Sequence, residues 1–593
     1  MKPNFVFPSL VIVAAALAWP VFPAFAGMTL VPATDPASGV SVRIESWLES
    51  SPQCGMVPLR LSITNSDSRA HTWEISVHDG FGMGGTYVTN GALPVEAGHG
   101  AETTVYAMCE AMTTGSGYYR NLNINVSGPG IKVPYAGGLH SSHSGSSSVT
   151  PFIAMSKKLS AKGWSQLKAK LDSSHGSRSG TSDLDGSEVD MTQAPDDWRG
   201  YTCLAQLWMD ESEWLSMGEG SKAALLDWLA LGGHVFILAS DISDARLDLI
   251  KLPPVAKGER RLGAGRVTAL KWDGTTFPLD SVAKQIKDSG NRGIIDPLGN
   301  YESKWELRKA VGELGLQHGL IFGFIVVFGL LIGPVNLFLL APAKRRQRLF
   351  WTTPLLSLAG SALLVALMIF QDGIGGHGTR ITLAMLLPEQ KKMALVQEQV
   401  SKTGVLLGRS FAKEEPAWMQ PLTFKDNSGG YPYRREMQHH FNESPAGRSG
   451  DWFSSRAIQS QMIEAVRPTR AAIEFFPSAD ANAAPMVLSS IEVPLEKVFV
   501  IDEQQHVWVA ENLGTGEKKA LRIERKNEFS EWMQDQLKLT GAVSWGILEK
   551  GRKLPTGHVF AISSDASKIA VKTLDSIQWN NDRVIFTGPY VKH

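Results

Sequence analysis

A chain of 593 residues is long enough for about four domains if roughly 150 residues make one, and each could bury its own core. Lysine plus arginine and aspartate plus glutamate balance at 58 each, so no overall field draws the chain to nucleic acid or to an acidic polymer, and no nucleic-acid partner is expected. Hydrophobic residues make up 43%, an ordinary globular share, so any membrane segment must be local.

The N-terminus runs from Lys2 through an apolar stretch, Val6 to Trp19, to Pro20, Pro23 and the small-residue site Ala24-Phe25-Ala26. A positive start, a short apolar run and an A-x-A site predict a secretory signal peptide over 1–26. An uncleaved anchor is the competing reading, disfavoured because the run is shorter than the roughly 20 residues a span needs. No Cys follows the small-residue site, so no lipoprotein signal is expected. Export to an oxidising compartment makes Cys54 and Cys109 candidate disulfide partners, with Cys203 left over; two buried thiols are the alternative.

Within residues 27–136 the pattern alternates with period two from Val42 to about Tyr135. Leu59, Leu61 and Ile63 oppose Arg60, Ser62 and Thr64, and Leu122, Ile124 and Val126 oppose Asn121, Asn123 and Asn125. Such strands, parted by Gly, Pro and Asn turns, predict a β-sandwich. Gly80, Gly82 and Gly85 spell G-x-G-x-x-G, but Thr86 to Gly91 follows with strand and turn residues. A dinucleotide site needs a helix N-terminus there, so a hairpin loop and no cofactor are expected. Residues 137–149 are Gly- and Ser-rich and read as a linker; His140 and His143 within it have no third ligand nearby, and no metal site is expected.

Over 150–317 strands alternate with helices. Phe152 to Met155 and Leu204 to Met209 read as buried strands. Ser221 to Leu231 sets Ala224, Leu225, Trp228 and Leu229 on one helical face, stops at Gly232-Gly233 and enters the apolar strand Val235 to Leu238. That order predicts a βαβ layer with a parallel sheet. Ala194 to Tyr201, Ala223 to Trp228 and Gly232 to Val235 together resemble the class I glutamine amidotransferase-like domains of bacterial envelope proteins, over roughly a quarter of the chain. Enzymes of that family carry a Cys on a Gly-flanked elbow after a sheet strand. Here the strand leads into Ser240-Asp241-Ile242, and Cys203 stands at a strand start. The resemblance therefore implies the fold without its nucleophile, and no catalytic residue is expected.

Residues 318–371 hold two uncharged apolar stretches, Leu320 to Leu340 and Leu349 to Phe370, each about long enough to cross a bilayer. Lys344, Arg345, Arg346 and Arg348 lie in the short loop between them, which by the positive-inside rule faces the cytoplasm and leaves both flanks in the periplasm. Gly319, Gly323, Gly329 and Gly333 stand in two four-residue pairs, as helix-packing surfaces within the hairpin or toward another span. Asn336 near the inner end is expected to bond across the two helices. Residues 372–593 read as β-rich, with Ile381 to Leu387 a strand and Val498 to Ile501 and Val507 to Val509 a hairpin. A polar stretch from about Asp426 to Ser455 carries His439-His440, whose side chains would point to opposite faces.

The fold class expected is thus a multidomain membrane protein: N-terminal β-sandwich, α/β amidotransferase-like domain with a parallel sheet, two-helix transmembrane hairpin, and C-terminal β-rich domain. The function expected is a non-enzymatic inner-membrane protein whose partners are the lipid bilayer and membrane or periplasmic proteins. A membrane-tethered hydrolase or amidotransferase is the alternative.

Overall fold

A computed structural model describes residues 28–34, 40–81, 84–110, 120–129, 131, 135–140, 151–173, 185–243, 252, 254–256, 258–289, 301, 305–313, 318–422, 438–444, 447–478, 484–551 and 555–593. The expected signal peptide and most of the expected linker lie outside them.

The first eight strands are β1 (Met28–Thr34), β2 (Ser41–Ser46), β3 (Gly55–Thr64), β4 (His71–Phe81), β5 (Gly84–Val95), β6 (Gly100–Cys109), β7 (Arg120–Ser127) and β8 (Tyr135–His140). They form two facing sheets, β1-β2-β3-β6 and β5-β4-β7-β8. Val42, Ile44, Leu59, Leu61 and Ile63 from one meet Trp73, Ile75, Val77, Ile124 and Val126 from the other. Alternation puts one side chain in two into this seam, which is why the period-two stretches fold so. Gly137 to His140, read as linker from its composition, is strand and pairs with β7. Gly80 and Gly85 of the glycine motif pair across the antiparallel β4 and β5, and the residues after Gly85 are strand; Gly82 lies outside the described residues.

The α/β unit has strands β9 (Phe152–Ser156), β10 (Asp185–Val189), β11 (Gln206–Asp210), β12 (His234–Ala239), β13 (Pro254–Ala256), β14 (Glu259–Leu262) and β15 (Gly265–Lys271). The order is β10-β9-β11-β12-β15-β14-β13, parallel through β15 and antiparallel beyond. Counting the parallel strands gives 2-1-3-4-5, a doubly wound order. Its faces divide cleanly. Ile153, Met155, Trp208 and Phe236 lie with Leu159 and Leu167 of α1 (Lys157–Ser173), and with residues Val282 and Ile286. Leu207, Met209, Val235 and Ile237 instead lie with Leu225, Trp228 and Leu229, which belong to a helix after β11. Two helices follow β11: α2 (Glu211–Ser216) and α3 (Glu219–Ala230). The first face is completed by α4 (Leu279–Ser289), and α5 (Glu306–Val311) precedes the two apolar helices.

Two apolar helices follow. The first is α6 (His318–Leu330), continuing as a wider π-helical stretch, Leu331–Leu340; the second is α7 (Leu349–Asp372). Pro334 sits inside the wide stretch, where its missing N–H breaks the normal i to i−4 ladder.

Beyond α7 lie β16 (Gly376–Leu387), β17 (Lys392–Thr403), β18 (Phe411–Ala412), β19 (Ala417–Pro421), β20 (His439–Ser444), β21 (Gly447–Gly450) and β22 (Ile458–Pro468). A nine-stranded sheet runs β19-β22-β17-β16 and on through Ile577–Pro589, His558–Ser563, Leu495–Ile501, Val507–Leu513 and Arg522–Glu524. A four-stranded sheet carrying Phe475 and Val487 shares a core with one face of it, and α8 (Lys526–Leu539) and α9 (Ala542–Gly551) lie with the other. The hairpin read at 498–509 is present, Val500 pairing with Trp508. The polar stretch read around His439-His440 does something unforeseen. β20 pairs in parallel with β5, and β21 and β18 follow, so the C-terminal unit adds three strands to the N-terminal sheet.

Candidate functional site

The carboxyl ends of β9 and β11 flank the point where the doubly wound order reverses, the place such sheets offer a ligand. Ser156 ends β9 and Asp210 ends β11. Lys158 pairs with Asp210 and donates to Ser212 Oγ at 2.7 Å. Asp210 Oδ1 accepts from Ser212 Oγ at 2.7 Å and from Glu213 N–H at 2.8 Å, while Glu213 Oε2 accepts the Asp210 N–H at 2.9 Å. This is a reciprocal cap on α2. Burial works against the Asp210 charge, but Lys158, Ser212 and the Glu213 N–H outweigh it and hold its pKa below the usual carboxylate range. Burial lifts that of Glu213. Both carboxylates cap the helix start, and each also accepts from a serine hydroxyl, Asp210 from Ser212 and Glu213 from Ser156.

Cys203 lies just before β11, at the other end of the strands. It is buried, with its Sγ 3.8 Å from Gly200 O, and burial, then Cys54, pushes its thiol well above the usual range. A thiol so held stays protonated. Ser240 follows β12, and the neighbouring Asp241 accepts from the N–H and Oγ of Ser243 at 2.8 and 2.7 Å. Cys54 and Cys109 are buried and no disulfide joins them, which corrects the pairing proposed from export alone. The register shows why: Cys109 stands opposite Gly55, so the two Cys Cβ atoms are not a cross-strand pair. Gly55 itself, at φ +82°, lies so close to Cys203 that a Cβ there would come within 2.5 Å of its backbone N. The three thiols therefore mark the joint between sandwich and α/β unit.

A second buried constellation joins all three units outside the apolar helices. Arg199, in the turn Trp198–Tyr201, donates from Nη2 to Asp197 at 2.7 Å and from Nη1 to Glu443 Oε1 of β20 at 2.6 Å. Its guanidinium lies over the ring of Tyr106 from β6, 4.3 Å from the centroid. Lys413 and Arg448 also pair with Glu443. Burial opposes the Glu443 charge, but Arg448, Arg199 and Lys413 overcome it and pull its pKa down to about 2.

The nine-stranded sheet holds a third. Glu398 of β17 and Glu464 of β22 are diagonal neighbours on one face, Glu464 beside Val396 and Glu398 beside Met462. Glu398 accepts from Tyr301 OH, from Gly541 N–H at 2.9 Å and from Val543 N–H at 3.2 Å. Neither oxygen of Glu464 has a hydrogen-bond partner, nor has Trp418 Nε1 on the adjoining strand. Burial, then Glu398, pushes the Glu464 pKa up to about 8. These residues escaped the reading of the sequence. Gln397-Glu398-Gln399 interrupting the apolar run of a strand was the available signal.

The two apolar helices are exposed over most of their length. Phe322, Phe338, Leu339, Phe350, Trp351, Leu355 and Phe370 all present their side chains outward. Both are long and apolar enough to cross a membrane, over Phe322–Leu340 and Ala343–Asp372. Lys344, Arg345, Arg346 and Arg348 lie exposed between them. Asn336 Nδ2 donates to Thr353 Oγ1 across the pair at 2.9 Å, as its position suggested. Gly319, Gly323, Gly329 and Gly333 are not the seam: a Cβ on any of them would meet nothing within 4 Å. The seam is at Gly360, where a Cβ would fall 2.1 Å from Phe328 Cε2. Among the described residues no group of three or more His, Cys, Asp or Glu is placed to hold a metal ion.

No family model matches the chain, and no curated protein matches it in sequence. Among solved structures it is similar to a Paenibacillus cycloisomaltooligosaccharide glucanotransferase, at 9% identity and TM-score 0.17, over 36% of this chain and 28% of that one. It is also similar to a Bacteroides uniformis β-glucuronidase 2, at 10% identity and TM-score 0.15 over 34% and 23%, and to the Amycolatopsis orientalis exo-chitosanase CsxA, at 10% and 0.14 over 45% and 30%. The chain spans under a third of each of these, and likeness at that level carries no argument about activity.

Proposed function

We propose that the chain is a two-span protein of the bacterial inner membrane whose periplasmic body binds other envelope components and performs no catalysis. The observation that carries this is the pair of outward-facing apolar helices joined by an exposed basic loop, on a body whose sandwich, α/β and C-terminal units share one hydrophobic core. Side chains such as Phe338 and Phe370 have no aqueous reason to stay exposed, and a bilayer supplies one. Lys344 to Arg348 then belong on the cytoplasmic side, with Phe350 and Trp351 at the headgroup level beside them. A parallel sheet of amidotransferase-like lineage without a placed nucleophile serves as a binding platform in this reading. The outward glycines of α6 give a neighbouring span room to approach.

Reporter fusions at Gln347 and His593 test the topology, the first expected to signal from the cytoplasm and the second from the periplasm. Both on one side, or the reverse, overturns it. Crosslinking in intact membranes tests the binding role: the native protein should retain specific membrane partners that a Gly329→Leu, Gly333→Leu variant loses. A native protein recovered alone sinks the binding role.

A further inference from the structure

α7 passes into the nine-stranded sheet almost without a linker. Only Gly373, Ile374 and Gly375 separate Asp372 from β16. They are stitched to the loop that follows β17. Gly375 N–H donates to Val405 O at 3.0 Å, Val405 N–H to Gly373 O at 2.9 Å, and Gly404 N–H to Gly375 O at 2.7 Å. Arg456 locks the same place, its N–H on Gly404 O at 2.9 Å and its guanidinium on Asp372 at 2.6 Å. Lys402 Nζ holds Glu313 O at 2.8 Å, shortly before the chain enters α6. One strand end therefore grips both the entry and the exit of the hairpin.

Two large aliphatic side chains stand out from this seat. Ile374 is 60% exposed and Leu407 is 82% exposed, while Phe370, in the last turn of α7, is 91% exposed. Val405 bridges Ile374, and two further residues of chain reach at most about 7 Å, so Leu407 lies close to the helix exit. Basic groups flank the pair. Arg409 is half exposed beside Asp451, and Arg456 runs along α7 to Met368 Sδ at 3.3 Å. The apolar surface of α7 thus continues past its last turn onto the body, with cations where headgroup phosphates would lie.

We propose that Ile374 and Leu407 enter the headgroup–acyl boundary of the periplasmic leaflet, with Arg409 and Arg456 at headgroup level, so that the body rests on the bilayer in one fixed orientation. The proposal rests on the reading of α6 and α7 as membrane spans. Its occupant is lipid, because the patch is continuous with the surface of α7 and the seat leaves no slack for a protein layer between.

The test uses the full chain in phosphatidylglycerol-containing vesicles, with an environment-sensitive fluorophore on a cysteine placed at Phe370, Leu407 or Glu389 in turn. The three native thiols are buried, so the added one reacts. Glu389 is an exposed turn residue at the far end of β16, about 40 Å from Gly376 at 3.3 Å per residue over 12 residues. Nitroxide-labelled lipid should quench the probe at Phe370 and at Leu407 at least twofold and leave that at Glu389 unchanged. Adding Ile374→Glu should reduce the quenching at Leu407 by half or more while leaving Phe370 quenched. A quenched Phe370 with an unquenched Leu407 overturns the seat alone. An unquenched Phe370 overturns the span reading itself. Protection of Leu407 by a membrane protein extract, in place of quenching by lipid, also overturns the seat and assigns the patch to a protein.

Discussion

Glu443 and Glu464 belong to the same C-terminal unit, and both are withdrawn from water. Around Glu443 stand Arg199, Lys413 and Arg448; around Glu464, among the described residues, the titratable group that adds to burial is the carboxyl of Glu398. Burial penalises the charged form at both sites. It loses at the first, where the pKa falls to about 2, and wins at the second, where it rises to about 8. Buried carboxylates thus persist in two ways: Glu443 as an anion among three cations, Glu464 as a neutral acid that tolerates an apolar wall.

The strongest break in this comparison is Glu443→Gln. It takes the anion from buried Arg448 and half-buried Lys413 and leaves Arg199 with Asp197 alone, which costs on the order of 5 kcal/mol. Urea unfolding at pH 7 should show that loss, together with separation of the sandwich from the C-terminal unit. A change below about 1 kcal/mol would mean that the junction is not what joins them. In the native protein the same carboxylate has a folded pKa below its unfolded one, so its contribution is present above pH ~4.5 and is lost as pH falls toward 2.

Glu464→Gln comes next and has the opposite pH sense. With a folded pKa of about 8 against 4.5 unfolded, the folded state keeps a proton that the unfolded state has released. That contribution is complete below pH 4.5 and is lost as pH rises to 8, at about 1.4 kcal/mol per unit. The variant should therefore match the native protein at pH 4 and exceed it by about 4 kcal/mol at pH 8. Equal pH profiles for the two proteins would show that Glu464 is ionised in the fold.

The smallest effect is expected at Trp418→Phe. Its Nε1 donates to nothing in the structure, so the change costs packing of about 1 kcal/mol and no hydrogen bond. A larger loss, and one that appears only above pH 8, would show the indole serving a Glu464 anion.

What the sequence disclosed and what it hid follow from the range of the forces involved. The periods at Leu59 to Ile63 and at Ala224 to Leu229, the Gly232-Gly233 stop and the two apolar stretches are set by neighbours within a few residues, and they led to the strands and helices found. The loan of β18, β20 and β21 to the sandwich could not be read this way, because a strand's partner is not written in its own alternation. The disulfide failed on a single step of register. At the candidate sites, Arg199 stood inside the stretch that carried the family resemblance, but its partner Glu443 lies 244 residues away. Glu464 gave no sign, since a carboxyl that stays neutral looks in sequence like any polar residue of a half-exposed strand.

The loan of strands also sets a schedule for biogenesis. Asn90 and Asn442 meet side by side, yet 352 residues separate them along the chain. At about 5 to 20 residues per second, the β5 edge emerges roughly 20 to 70 s before β20 exists to cover it. For that interval the nascent sandwich carries a bare row of N–H and C=O groups, open to any passing strand. A ribosome stalled between the second apolar helix and His439 would therefore release a half-product primed to aggregate, and the cell's quality control has its clearest target there.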